Sequence, residues 1–124
     1  NIEINDIESI IIIGLLRFTV NKIKQLYLDI KIKPIYCNDF KRKKFMIYET
    51  NNWLLVNKNI LNMIVDEIQK NILECLNKWK KENRSKYPIE RLNEIYLHII
   101  NICSENLSNN KIFINDVCRV FKST

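Results

Sequence analysis

Apolar residues recur at helical spacing from Asp6 to about Asp29, which predicts a first helix over this segment. Asp6 or Ser9 would cap its start, because a short oxygen-bearing side chain satisfies the free N–H groups of a first turn. Gly14 lies in the middle and indicates a close crossing with another helix. The apolar stripe comprises Ile7, Ile11, Leu15, Phe18, Ile23 and Leu26.

The opposite side of this first helix is apolar as well. A helix that is hydrophobic nearly all round is typical of a buried helix or of an interface between subunits. Both interpretations stay open at this point. The additional apolar positions are Ile10, Ile12, Ile13 and Leu16.

After Pro34 the pattern changes to short runs of β-branched and aromatic residues separated by turn formers. This change predicts a small antiparallel meander. A sheet of this size is marginal alone, so it must pack on helices. The predicted strands are Ile35–Asn38, Lys44–Glu49 and Trp53–Val56, with turns at Asp39–Lys43 and Thr50–Asn52.

Two longer helical patterns follow the meander. The first follows Asn57 and Asn59, which can cap it, and its seam has heptad-type spacing at Leu61, Val65, Ile68, Ile72, Cys75 and Trp79. Pro88 is well placed at the start of the next helix. That helix is amphipathic through Ile89, Leu92, Tyr96, Ile99 and Cys103.

The tail Lys111–Lys122 has helical spacing, although Ile112–Ile114 could instead add an edge strand. The sequence therefore predicts an α+β fold, with an N-terminal helix, a three-stranded antiparallel meander and two or three packed helices. At 124 residues the chain predicts a single domain over 1–124.

The composition is dominated by 23 Ile, 18 Asn and 15 Lys, with a single Gly and no Ala. These abundant residues have A/T-rich codons, which indicates an AT-rich genome. Because the chain opens with Asn1 rather than Met, we expect it to be a fragment of a longer protein.

The net charge of +6 is concentrated in two clusters. Lys41, Arg42, Lys43 and Lys44 form the first cluster, which we call the basic turn. Concentrated positive charge attracts nucleic-acid phosphates or acidic surfaces. Lysines that guard a sheet edge, or that complement a helix terminus, are the alternatives. The second cluster contains Lys78, Lys80, Lys81, Arg84 and Lys86, and aromatics that could stack bases near the first are Phe40, Phe45, Tyr48 and Trp53.

The sequence contains few residues in arrangements that could carry catalysis. His98 is the only histidine, and Glu90 and Glu94 lie on the same face of its helix. Ion pairs with Arg91 explain the presence of these two carboxylates without a metal. The single glycine excludes a glycine-rich phosphate loop. We therefore expect no enzyme, no catalytic or metal-binding residue, and no cofactor.

The cysteines, Cys37, Cys75, Cys103 and Cys118, are far apart and lie among apolar residues. They predict reduced, buried thiols, with one disulfide as the alternative. The longest apolar stretch, Ile10–Leu16, is too short to cross a bilayer, so no membrane is expected.

One segment resembles a known family. The run Ile35–Tyr48, followed by Trp53–Lys58 and a long helix, resembles a C-terminal module of proteins from nucleocytoplasmic large DNA viruses. Those proteins often carry a KilA-N-type or Cys/His zinc-finger segment upstream. The resemblance covers about residues 15–110, although the linker before the first strand is reduced to Lys31–Pro34. It implies a viral, intracellular, non-enzymatic module of host cytoplasm or viral factory, and it supplies no catalytic residues.

The leading functional hypothesis is a protein–protein interaction or self-association module. Its partner would be a second copy, or another viral or host protein. The alternative is nucleic-acid binding through Lys41, Arg42, Lys43 and Lys44. We expect Trp53 and Trp79 in the core, since an exposed Trp would mark a binding anchor. The predicted interface residues are Ile11, Leu15, Phe18, Val65, Ile72 and Trp79.

Overall fold

The computed structural model describes residues 2–29, 35–39, 41–49, 51–57 and 59–122. It has the predicted α+β architecture, in which helices precede and follow a three-stranded antiparallel sheet. The helices are α1 (Ile4–Ile13), α2 (Leu15–Asp29), α3 (Ile60–Glu82), α4 (Ile89–Cys103) and α5 (Lys111–Lys122), and the strands are β1 (Ile35–Asp39), β2 (Lys44–Glu49) and β3 (Asn52–Val56).

The predicted first helix is divided in two at Gly14. This residue has φ 85° and ψ 161°, a backbone conformation that is essentially restricted to glycine. A Cβ added at Gly14 would meet nothing within 4 Å, so the predicted close helix crossing is wrong. The glycine ends α1 instead. Asp6 lies inside the first turn of α1 and not at its start, where the prediction placed it. Its carboxylate accepts the Glu3 N–H at 2.8 Å.

The sheet confirms the predicted meander, with strand order β1-β2-β3. Asn51 has φ 65° in the second turn, the left-handed backbone that asparagine tolerates. In the first turn Lys43 has φ 56°. Phe40 and Thr50, which belong to the predicted turns, lie outside the described residues.

The tail is helical, so the alternative of an edge strand at Ile112–Ile114 is wrong. A short 3-10 helix, Leu107–Asn109, precedes α5. The Asn110 side-chain oxygen accepts the backbone N–H groups of Ile112 and Phe113 at 2.9 and 3.1 Å. This side-chain capping favours a helical start at Lys111.

The chain divides into two compact units, each composed of two stretches of sequence. Unit 1 comprises Asn1–Phe18 and Asp66–Glu105, and unit 2 comprises Thr19–Val65 and Asn106–Thr124. The single-domain organisation of 1–124 stays a prediction. Fully buried side chains of unit 1 include Ile7, Ile10, Ile72, Leu76, Trp79 and Ile99. Those of unit 2 include Phe45, Leu61, Leu107, Phe113, Val117 and Cys118.

In unit 2, helix α5 packs on β1 and supports the sheet. Phe121 of α5 lies edge-on to Phe45 of β2, with 6.0 Å between ring centroids. Tyr27 of α2 makes a similar contact with Phe121 at 5.0 Å, and its hydroxyl donates to the Ile35 carbonyl at 2.8 Å. The face of the sheet that carries Phe45 is therefore packed. Whether a strand side chain points toward this face or away from it decides whether it remains exposed.

Candidate interaction surface

The predicted interface residues lie mostly in the interior. Apart from Ile11, their side chains are covered by the chain itself. Core packing explains the apolar spacing of the buried ones, and an interface through these six residues stays a prediction. Leu15, Phe18, Val65, Ile72 and Trp79 are buried, and Ile11 is half-buried.

The register of the sheet defines a second, outer face. Tyr36 pairs with Met46, and Met46 pairs in turn with Leu55. Tyr48 pairs with Trp53 in the same ladder. Because side chains alternate between faces along a strand, these five residues share the face opposite Phe45 and α5.

The outer face carries an aromatic cluster centred on Trp53. The Trp53 ring lies 5.3 Å from the Tyr36 ring and 5.3 Å from the Tyr48 ring, centroid to centroid. Trp53 is 45% exposed and Tyr48 is 47% exposed. The prediction that both tryptophans lie in the core is thus confirmed for Trp79 and wrong for Trp53. An exposed, supported tryptophan is the kind of side chain on which binding energy concentrates.

Strand β3 is an edge strand with an exposed apolar sequence. Leu54 is 45% and Leu55 is 60% exposed, and β3 contains no charged residue and no proline. Natural proteins usually protect such edges with charges, prolines, bulges or covering elements. The β1 edge has one of these protections, since its pairing shifts between Cys37 and Asp39. The β3 edge is therefore the more open one for pairing.

The basic turn lies at the other end of β2 from the aromatic cluster. Lys41 and Arg42 are exposed, while Lys43 and Lys44 are partly covered. Asp39 offsets part of this charge, because its carboxylate lies 3.8 Å from the Arg42 Nε and accepts the Arg42 N–H at 3.2 Å. Lys44 shares the outer face with Met46 and Tyr48, by alternation along β2.

Only part of the predicted base-stacking set is available. Phe45 is fully buried, so it is a core residue and cannot stack a base. Phe40 lies outside the described residues. Tyr48 and Trp53 remain exposed, and the Tyr36 ring packs beside Trp53. No local pattern in the sequence indicates this role of Tyr36.

The second basic cluster lies in unit 1, around the end of α3. Lys78, Lys81, Arg84 and Lys86 are exposed. The Lys80 ammonium lies 4.4 Å from the centre of the Tyr96 ring, a cation–π contact. These residues form a solvated positive surface. They belong to a different stretch of the sequence from the strands that form the sheet's outer face.

His98 lies in a shallow cavity of unit 1 lined also by Ile11, Arg91, Glu94 and Ile95. Glu94 is paired with Arg91 at 3.2 Å, which agrees with the interpretation of this helix face as an ion-paired surface. Within the described ranges, no three His, Cys, Asp or Glu side chains gather closely enough to hold a metal ion.

The four cysteines all lie in the described part of the chain, where each is a buried free thiol. Burial raises the pKa of the Cys103 thiol to about 11 and raises that of Cys75 as well. Burial and the neighbouring Cys37 thiol together raise the pKa of Cys118 to about 12. Thiols with such raised pKa values are protonated at neutral pH and are poor nucleophiles there.

Comparison with protein-family models, curated proteins and solved structures gives no match. Of the helices described, none has the length and apolar character needed to cross a membrane. The geometry of the sheet and its exposed edge is therefore the basis on which a function can be proposed.

Proposed function

We propose that this chain is a non-enzymatic interaction module that self-associates through the β3 edge of its sheet. The observation that supports this most directly is the exposure of Trp53, Leu54 and Leu55 on an edge strand that lacks protecting residues. The occupant of the edge is a second copy of the chain. Viral origin and a location in host cytoplasm or a viral factory stay predictions that follow from the resemblance.

An edge strand that pairs antiparallel with its own copy generates a two-fold dimer, because the same surface serves both subunits. A two-fold axis at Leu54, the central residue of β3, pairs the largest number of residues. It places Leu54 opposite Leu54 of the second copy, and Trp53 opposite Leu55. Aromatic and aliphatic side chains directly opposite one another stabilise antiparallel strands.

The charge distribution favours this arrangement over a random contact. Strand β3 carries no charge, so no like charges face each other across the axis. The axis also brings the basic turn of one copy to the end of the sheet where Glu49 of the other copy lies. Because Glu49 pairs with Asn52 at the far end of β2 from Lys44, the two basic turns stay at opposite ends of the joined sheet. Repulsion between the net charges of +6 is thereby reduced.

Sedimentation velocity over a concentration series tests the proposal. Wild type should shift from a 15.0 kDa monomer to a species of twice that mass. Leu54→Lys should remain monomeric, because it places two lysines directly opposite one another. Leu97→Lys is the matched control, since Leu97 is 58% exposed on α4, and it should associate like wild type. A wild type that is monomeric at high micromolar concentration would exclude the proposal, as would equal loss in both variants.

Nucleic-acid binding is the second candidate, favoured by the position of Lys44 on the same face as Tyr48 and Trp53. Aromatic faces stack bases, and neighbouring lysines contact the phosphates. The arrangement is only partly suitable, because alternation along β2 puts Lys44 about 14 Å from Tyr48. Asp39 also lowers the local charge of the basic turn.

Fluorescence anisotropy with a labelled single-stranded oligonucleotide distinguishes this second candidate. Binding through the basic turn predicts an affinity that falls with salt and falls further in Lys41→Ala/Lys44→Ala. Lys70→Ala/Lys111→Ala removes the same charge elsewhere on the exposed surface and should bind like wild type. Affinity that is insensitive to salt, or equal in both double variants, would remove the nucleic-acid candidate.

A further inference from the structure

Two of the buried thiols, on β1 and α5, lie beside each other in unit 2. Cys37 pairs with Phe45 on the inner face of the sheet, and Phe45 contacts Phe121 of α5. Cys118 lies three residues, about one helical turn, before Phe121 on the same helix. The packing of α5 on β1 therefore brings together two cysteines that are far apart in the sequence.

The two thiols are in direct contact. They share a side-chain hydrogen bond, while Cys37 is 9% exposed and Cys118 is fully buried. The two elements that carry these thiols, β1 and α5, pack directly on each other. A disulfide requires the sulfurs to approach to about 2 Å, which is a short movement from a hydrogen-bonded contact.

We propose that Cys37 and Cys118 form an intramolecular disulfide when the folded protein reacts with a peroxide. Cys37, the more accessible sulfur, loses its S–H proton and attacks one peroxide oxygen, so that an S–O bond forms and the O–O bond breaks. The hydroxide that leaves takes up that proton as the first water, and Cys37 is now a sulfenic acid. The Cys118 sulfur then loses its proton and attacks the Cys37 sulfur, so that an S–S bond forms and the S–O bond breaks, and the hydroxide released takes up this proton as the second water. Two thiols and one hydrogen peroxide thus yield one disulfide and two waters, and two electrons pass from sulfur to oxygen.

The surroundings of the pair predict how the reaction depends on pH. The Cys118 thiol is protonated at neutral pH because burial raises its pKa to about 12, although the nearby Lys43 ammonium opposes this shift. The thiolate fraction of Cys118 therefore grows with pH, and its attack on the sulfenic acid of Cys37 should be faster at higher pH.

Mass spectrometry of the full chain, treated with hydrogen peroxide under native conditions, tests the proposal. The expected product has lost two hydrogen masses and yields one linked peptide pair, containing Cys37 and Cys118, in a non-reducing digest. The same oxidation in denaturant should give a mixture of pairings among the cysteines. No mass loss in the folded protein, a different linked pair, or only intermolecular links would overturn the proposal.

A variant tests whether the remaining thiols are needed. Cys75→Ser/Cys103→Ser should form the same linked pair, and its melting temperature should rise by about 10 °C on oxidation, because the bond closes a long loop. If this variant does not fold, the peptide map of wild type decides alone. Failure of the linkage in a folded Cys75→Ser/Cys103→Ser protein would contradict the assignment.

Discussion

Trp53 lies directly across the β2–β3 ladder from Tyr48, and the centroids of the two rings are 5.3 Å apart. The contact orients Trp53 on the outer face of the sheet and leaves it 45% exposed, whereas Trp79 is 1% exposed. The two tryptophans therefore report on different parts of the molecule, one on the sheet surface and the other on the core of unit 1.

This difference predicts a two-component response to acrylamide, a collisional quencher. Trp53 should be quenched strongly and Trp79 weakly, and Trp53→Phe should remove the quenchable component. The proposed self-association would pair Trp53 with Leu55 of the second copy, so quenching of wild type should weaken as protein concentration rises. Quenching that does not change with concentration, in a sample shown to dimerise, would place the contact elsewhere.

Gly14 ends α1 in a conformation that other residues rarely adopt. Gly14→Ala should lower the free energy of unfolding by about 1–3 kcal/mol, although there is open space for the added methyl group. Asn21→Ala, at an exposed position inside α2, is the control and should change stability by less than about 0.5 kcal/mol. Urea unfolding measures both, and a Gly14→Ala protein as stable as wild type would contradict the strained backbone.

Trp79 is buried in the core of unit 1. Its ring lies 6.0 Å from the Tyr87 ring, and its carbonyl accepts the Asn83 side-chain amide at 2.8 Å. Trp79→Ala should therefore lower the free energy of unfolding by about 3–5 kcal/mol. This loss should be the same at every protein concentration. A variant that keeps its stability but loses only dimerisation would restore Trp79 as an interface residue.

Stability should fall at alkaline pH through the buried thiols. Their pKa values in the folded chain, about 12 for Cys118 and about 11 for Cys103, exceed the ordinary 9.0. Between about pH 9 and these values the unfolded chain has lost protons that the folded chain keeps, so the free energy of unfolding decreases as pH rises. Cys118→Ala should show a shallower decrease in urea titrations, and an unchanged slope would contradict the role of this thiol.

The α+β architecture could be predicted because local patterns determine it. Turn formers such as Asn51 separate the strands, and the heptad-type spacing from Leu61 to Trp79 marks one long helix. The break at Gly14 was not predictable from spacing, since the apolar stripe continues through it. Only the backbone angles show that the glycine ends α1.

The proposed interaction surface was harder to predict, because apolar spacing indicates that a residue is covered but not what covers it. Leu15, Ile72 and Trp79 have the spacing of an interface, yet their own chain covers them. Trp53 is equally apolar in sequence, but its exposure depends on β3 lying at the edge of the sheet. The predicted meander already places β3 at an edge, but which face of the sheet the helices cover is set by long-range packing that no local pattern records.

The same reasoning applies to the thiol pair. Cys37 and Cys118 are distant in sequence and show no metal-type or redox-type spacing. Their contact arises because α5 packs on β1, a long-range relation that no local pattern records. The pairing of Cys37 with Phe45 and the contact of Phe45 with Phe121 are the links that bring the sulfurs together.

Sedimentation velocity on a mixture of Leu54→Lys and Leu54→Glu proteins tests the central claim most directly. Each variant alone should be monomeric, because two like charges would face each other across the two-fold axis. Mixed in equal amounts, they should form a dimer of one copy of each, since the introduced lysine of one strand then faces the introduced glutamate of the other. A mixture that stays monomeric while wild type dimerises would contradict β3 pairing centred on Leu54.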